Sequence, residues 1–242
     1  MKKSIKKAFT LAEIIFVMGI IGIVATLTVT NAKRDTDVAE KVTQLRKTEE
    51  ILSTAFAQAV TENGSISTWG ANGGEPTSAN VWEVITPYLK LKKDCETSTG
   101  CWQSGNVKMV PYATTKFTGG GDSISIDGES EAYKGVLANG ASLAIVDDSF
   151  DWESSPYCGY IYVDVNGTKG TYRYGDDVFA FVVNKSTGEI FPNGSYNAEQ
   201  HFEGDCLKNG SYCTAWVFQF GNQDYLKDCR NKLKWGGPQT CR

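Results

Sequence analysis

Histidine is almost absent from this chain, since His201 is the single one among its 242 residues. Its seven cysteines include no Cys-x-x-Cys pair, so the ligand spacing of a structural zinc site is missing. The sequence also lacks Gly-x-Ser-x-Gly, His-Glu-x-x-His and a phosphate-binding Gly-Lys-Ser/Thr loop. These gaps argue against a zinc protein, a hydrolase with these motifs and a P-loop enzyme, and we expect no enzymatic activity.

The charge of the chain is unevenly distributed. The net charge is −4, but Lys2, Lys3, Lys6 and Lys7 account for four of the 24 basic residues, which leaves 20 against 28 acidic residues. An acidic body of this kind is not attracted to phosphate backbones. We therefore expect no nucleic-acid binding by bulk charge.

An apolar run occupies residues 9–29, and its only polar side chains are Thr10, Glu13, Thr26 and Thr28. At about 1.5 Å per residue, a helix of this length matches the ~30 Å hydrocarbon core of a bilayer. The lysines before it favour a cytoplasmic N-terminus. The run therefore predicts a transmembrane helix with the rest of the chain outside the cytoplasm.

The helical pattern continues beyond the apolar run. Residues 33–60 contain no Gly or Pro and are rich in helix-forming residues. Apolar side chains recur there at helical spacing and form one stripe, namely Val38, Val42, Leu45, Leu52, Phe56 and Ala59. The opposite face carries charged residues, namely Lys41, Arg46, Lys47 and Glu50. We expect one helix from about Phe9 to Thr61, ended by Asn63-Gly64.

The remainder of the chain predicts mostly strands. A short helix is expected over residues 78–93, opened by Ser78 or Asn80 and bent by Pro87. Strands are expected at 133–137, 142–146, 160–165, 178–183 and 189–191, because short β-rich runs alternate there with turn residues. No helical crossover separates them, which indicates an antiparallel sheet. The fold class is then α+β, a long protruding N-terminal helix whose second half packs on an antiparallel β-sheet.

All seven cysteines follow the apolar run, which fits disulfides in an oxidising compartment. Cys95 and Cys101 are close enough in sequence to close a small loop, and so are Cys206 and Cys213. We expect these two bridges, although the sequence alone allows other pairings. An odd number leaves at least one thiol free or paired with another chain.

Four oxygen-bearing side chains lie around one turn, namely Asp164, Asn166, Asp176 and Asp177. Oxygen ligands at alternate positions beside Gly167 suit Ca²⁺. The alternative is that Asn166-Gly167 simply makes a turn and the carboxylates are solvated. A calcium site is thus one of two hypotheses for this loop.

Residues 6–25 carry a specific resemblance, reading Lys-Lys-Ala-Phe-Thr-Leu-Ala-Glu-Ile-Ile-Phe-Val-Met-Gly-Ile-Ile-Gly-Ile-Val-Ala. This stretch resembles the prepilin signal shared by type IV pilins and by the pseudopilins of type II secretion and competence systems. In that family a basic leader ends in a small residue, an aromatic residue follows, and a glutamate stands fifth in the mature chain. Ala8, Phe9 and Glu13 occupy these three places.

The resemblance implies a complete set of functional expectations. Prepilin peptidase would remove a leader of residues 1–8 and methylate the new amine of Phe9. Residues 9–31 would form the transmembrane and polymerisation helix, and residues 32–242 an extracytoplasmic pilin-like domain that includes the amphipathic half of the helix. Its partners would be homologous pilin or pseudopilin subunits and the inner-membrane assembly machinery. The location would be the cytoplasmic membrane and then a pilus or pseudopilus at the cell surface.

Glu13 gives this resemblance a physical basis, because an ionised carboxylate in a membrane segment costs about 2–3 kcal/mol and usually has a partner. In the family that partner is the N-terminal amine of a preceding subunit. Two alternatives remain: Glu13 reaches the membrane interface, or the whole segment is the plain anchor of an extracellular binding protein that never polymerises. The size of the chain favours a minor subunit over a major one.

Overall fold

The computed structural model describes residues 11–71, 74–110, 125–146 and 157–241. The chain divides into two compact units, Met1–Glu40 and Lys41–Arg242. The protein is α+β, with an N-terminal helix and a six-stranded antiparallel sheet. The predicted fold class is confirmed at this level.

Helix α1 runs from Leu11 to Asn63, two residues beyond the expected end. The expected Asn63-Gly64 stop is present, because Gly64 adopts a φ of +80° and donates its amide to the carbonyl of Val60 at 2.9 Å. In the second unit the buried side chains of α1 form one stripe: Val42, Leu45, Thr48, Leu52, Ala55, Phe56 and Ala59. The predicted amphipathic half of the helix is therefore present.

Helix α2 (Ser78–Ile85) is shorter than predicted. Thr77 is its N-cap, not Ser78 or Asn80, and the Thr77 and Asn80 side chains form a capping box with each other's backbone amides. A 3₁₀ turn at Thr86–Tyr88 contains Pro87 and ends the helical segment. Residues 91–93, expected to be helical, belong instead to strand β1.

The sheet has six strands in sequence order: β1 (Leu91–Glu96), β2 (Tyr133–Leu137), β3 (Ser142–Val146), β4 (Tyr157–Asp164), β5 (Val178–Asn184) and β6 (Ile190–Pro192). Every neighbouring pair is antiparallel. The bounds of β2 and β3 agree with the prediction, whereas β1 was not predicted. Its pairing with β2 shifts register twice, and three of its six residues are lysine or aspartate, which weakens any alternating strand pattern.

Both faces of the sheet are covered. A cluster on one face contains Tyr162, Ala180, Trp102 and the Cys95–Cys101 bridge. Ile161 and Val163 alternate with Tyr162 along β4 and are fully buried too. In the second unit α1 contacts the turn between β2 and β3, where Gln44 Nε2 donates a hydrogen bond to the Asn139 carbonyl at 2.8 Å.

The tail beyond the sheet is built from short helices and turns: a 3₁₀ turn (Ser195–Asn197), α3 (Ala198–His201), a π-helical turn (Phe202–Cys206), α4 (Leu207–Asn209), α5 (Thr214–Phe220) and 3₁₀ turns at Asp224–Leu226 and Asp228–Lys232. An aromatic stack forms its interior, with the rings of Phe202 and Trp216 only 3.8 Å apart. Two disulfides cross-link this segment, Cys206–Cys213 and Cys229–Cys241.

The predicted bridges Cys95–Cys101 and Cys206–Cys213 are both present. Cys229–Cys241 is a third bridge that the sequence did not predict. Cys158 is the remaining thiol and lies buried on β4, where burial raises its pKa to about 12. It is therefore poorly suited to pairing with another chain.

Candidate functional site

The loop between β4 and β5 brings together the four residues that the sequence proposed as calcium ligands. Asp164 ends β4, Asn166 follows it, and Asp176 and Asp177 directly precede β5. The loop closes on itself, because Val165 donates its amide to the Asp177 carbonyl at 3.0 Å and Asn166 Nδ2 lies 3.0 Å from Asp177 Oδ1. The prediction that these residues surround one loop agrees with the structure.

The positive charge at this loop comes from helix α1. The ammonium of Lys41 contacts Asp176 Oδ1 and lies 2.7 Å from Asp177 Oδ1. Burial works against the charge of Lys41, but its hydrogen bonds to the two carboxylates and their negative charge outweigh burial and raise its pKa. Lys41 is therefore a permanent cation bound between two anions, and we call this group the lysine clamp (Lys41, Asp176 and Asp177).

The second oxygen of Asp177 is bound by the backbone of the same loop. The Asp177 side chain is fully buried, and its Oδ2 accepts hydrogen bonds from the Thr171 amide, from Thr171 Oγ1 at 2.6 Å and from the Tyr172 amide at 2.9 Å. Burial alone would raise the pKa of Asp177, but Lys41 and Thr171 lower it below its ordinary value. The carboxylate is thus ionised and fully coordinated by protein groups.

Asp164 differs from its neighbours. Its side chain is completely buried, Oδ1 accepts the Asn166 amide at 2.9 Å, and Oδ2 has no hydrogen-bond partner among the described residues. Burial is the main cause that raises the pKa of Asp164 to about 8, and the negative charge of Asp177 contributes to this shift. Without a bound cation this carboxyl is therefore largely protonated at neutral pH.

Side chains of the tail form hydrogen bonds with the backbone of the β4–β5 loop. Gln223 Nε2 donates to the carbonyls of Gly175 and Asp176, each at 2.9 Å, and the Tyr225 hydroxyl donates to the Gly175 carbonyl at 2.5 Å. The backbone carbonyls beside the clamp are therefore bound by side chains of the disulfide-linked tail. The clamp joins three parts of the second unit: α1, the β4–β5 loop and the tail.

This geometry speaks against the calcium hypothesis for Asp164, Asn166, Asp176 and Asp177. No group of three acidic, histidine or cysteine side chains in the described part of the chain is arranged to hold a metal ion. Lys41 takes the place that a cation would need, and Asp164 is protonated. The loop forms a closed turn in which Asp176 and Asp177 contact the ammonium of Lys41, so a cation bound by these two carboxylates would have to displace it.

Sequence reasoning missed Lys41, which it placed on the solvated face of α1. A signal was present, because Lys41 precedes Leu45, Thr48 and Leu52 by four, seven and eleven residues and so belongs to the buried stripe. A lysine in such a stripe requires an anionic partner. The adjacent Asp176-Asp177 pair is the matching feature in the sequence.

The residues predicted for cleavage and assembly lie outside the residues or side chains that the structure describes. Ala8 and Phe9 precede the described residues, and Glu13 lies on α1 but its side chain is not among those described. Among the described residues, no helix is long and apolar enough to span a membrane. The chain matches no protein-family model, and no curated protein or solved structure is significantly similar to it.

Replacing Asp164 by Asn should remove a pH dependence of stability. The folded protein retains the Asp164 proton up to about pH 8, whereas the unfolded chain loses it near its ordinary pKa of 3.8, so raising the pH across this window destabilises the fold. Asn keeps the acceptor for the Asn166 amide and never ionises. The stability gain of Asp164→Asn over wild type, measured by thermal or urea unfolding, should be larger at pH 8 than at pH 5 by roughly 3–4 kcal/mol.

The exposed carboxylate of Asp228 supplies the control, because Asp228→Asn alters charge by the same amount without changing a buried group. Its difference from wild type should be the same at both pH values. An Asp164→Asn difference that is equally flat would show that Asp164 ionises normally.

Proposed function

We propose that this chain is a subunit of a type IV pilus or of a type II secretion pseudopilus, processed by prepilin peptidase and assembled through α1. The observation that carries the proposal is the Ala8-Phe9…Glu13 motif at the start of an apolar segment that continues into one helix ending at Asn63. The resemblance implies this arrangement, in which the first part of the helix is apolar and the second part belongs to a globular unit.

The exposed side chains of α1 support this proposal. In the first unit Ile15, Phe16, Val17, Met18 and Ile20 are each 47–70% exposed. Removing such side chains from water contributes about 1.5–3 kcal/mol each, so this helix requires a lipid environment or neighbouring subunits. Pilin-like subunits meet both in turn, first in the membrane and then in the filament.

The second unit fits a subunit that works outside the cytoplasm. Three disulfides lie in it, and such bridges persist in oxidising compartments. The competing function is a membrane-anchored extracellular binding protein that keeps its N-terminal segment and stays monomeric.

Processing tests the proposal directly. In cells that contain a prepilin peptidase, mass spectrometry of the membrane and filament fractions should find a chain that begins at N-methylated Phe9. Ala8→Leu should block cleavage because the small residue before the cut is lost, while Ala12→Leu should be processed normally. A mature chain that retains Met1 or Lys2, or that begins after Ala25, would support the anchor instead.

Glu13 is expected to act in assembly and not in insertion or cleavage. Glu13→Ala should be inserted and processed at wild-type levels, yet the amount of this chain in sheared filaments should fall at least about tenfold because an intersubunit charge pair is lost. Glu40→Ala makes the same change at an exposed position of α1 and should assemble normally. Equal filament incorporation by both variants would mean that Glu13 only reaches the membrane interface.

A further inference from the structure

The three disulfides of the second unit differ in their access to solvent. All four cysteines of the Cys95–Cys101 and Cys206–Cys213 bridges are buried. In the third bridge, both Cys229 and Cys241 are partly exposed. Because thiol–disulfide exchange requires a thiolate to reach one of the two sulfur atoms, the third bridge is the one most open to a reductant.

The third bridge ties down a segment that lies on the surface of the tail. We call residues 234–241 the strap, and every residue in it is exposed except Trp235 and Cys241, which are partly buried. The Cys241 amide donates a hydrogen bond to Asp224 Oδ2 at 2.7 Å. A segment with few buried side chains opens at a low free-energy cost once its cross-link is removed.

The strap covers an aromatic stack in the tail. The ring centroid of Trp235 lies 5.2 Å from that of Phe220 and 6.0 Å from that of Trp216, whose side chain is completely buried. Asn222 joins the two layers, because its Oδ1 accepts the indole N–H of Trp216 at 3.0 Å and its Nδ2 donates to the Gln239 carbonyl at 3.2 Å. Displacement of the strap would therefore expose apolar ring surface.

We propose that the Cys229–Cys241 bridge is a redox modification site, and that its reversible reduction by a protein dithiol releases the strap. One thiolate of the dithiol attacks a sulfur of the bridge, which forms a mixed disulfide and frees one cysteine. The second thiol then displaces the other cysteine. Two electrons and the two thiol protons of the reductant thus end on the cysteines, and the reductant leaves as a disulfide.

Differential alkylation of the folded full-length chain in a non-ionic detergent tests the order of reduction. Dithiothreitol serves as the dithiol; samples taken over time are quenched with acid, alkylated in denaturant and mapped by mass spectrometry. Cys229 and Cys241 should gain label at least about tenfold faster than the cysteines of the two buried bridges. Equal rates for the three bridges, or earlier reduction of a buried bridge, would overturn the proposal.

Hydrogen exchange measured by mass spectrometry tests whether the strap is released. In protein reduced at this bridge alone, the amides of residues 234–241 should exchange at least about tenfold faster, while those of β4 and β5 keep their native rates. Cys229→Ser/Cys241→Ser should show the same pattern without any reductant. Wild type treated with oxidised dithiothreitol is the control and should keep native exchange throughout. Unchanged strap exchange after reduction would show that the bridge holds nothing in place and would refute the release.

Discussion

The ion pair between Lys41 and Asp177 is the interaction on which the second unit depends. Asp177 is fully buried and Lys41 is only 16% exposed, so neither charge is supported by bulk water. Removing one partner of such a pair leaves an uncompensated buried charge, which typically costs about 3–5 kcal/mol. Because Lys41 begins the globular unit on α1 and Asp177 directly precedes β5, the pair fixes the register of the helix against the sheet.

The contacts between the tail and the β4–β5 loop depend on this ion pair. The β4–β5 loop must present two carboxylates to one ammonium, and its backbone carbonyls are bound by Gln223 and Tyr225. These residues lie between the Cys206–Cys213 and Cys229–Cys241 bridges, which cross-link the tail on either side of them. In the proposed filament, the apolar part of α1 would make the intersubunit contacts, while the clamp would hold each globular unit to its own helix.

Periodicity and turn chemistry predicted the local elements of the fold well. The β-rich runs at 133–137 and 142–146 predicted the bounds of β2 and β3, and Asn63-Gly64 predicted the end of α1 within two residues. Strand β1 was missed because its charged residues show no strand alternation and its pairing is irregular. The role of Lys41 was missed because its partner Asp177 lies more than 100 residues away in sequence. The raised pKa of Asp164 was missed because it results from burial, which local sequence patterns do not record. The predictions for Ala8, Phe9 and Glu13 rest on the sequence motif.

A double-mutant cycle on the clamp tests the central claim most directly. The free energy of unfolding would be measured for wild type, Lys41→Met, Asp177→Asn and the double variant at pH 6.5, where Asp177 is ionised and Lys41 is charged. The account predicts a coupling energy of at least about 2 kcal/mol, since Lys41→Met leaves Asp177 buried without its cation and Asp177→Asn leaves Lys41 with Asp176 as its one remaining anion in the clamp. A coupling below about 0.5 kcal/mol, the value of independent sites, would contradict it.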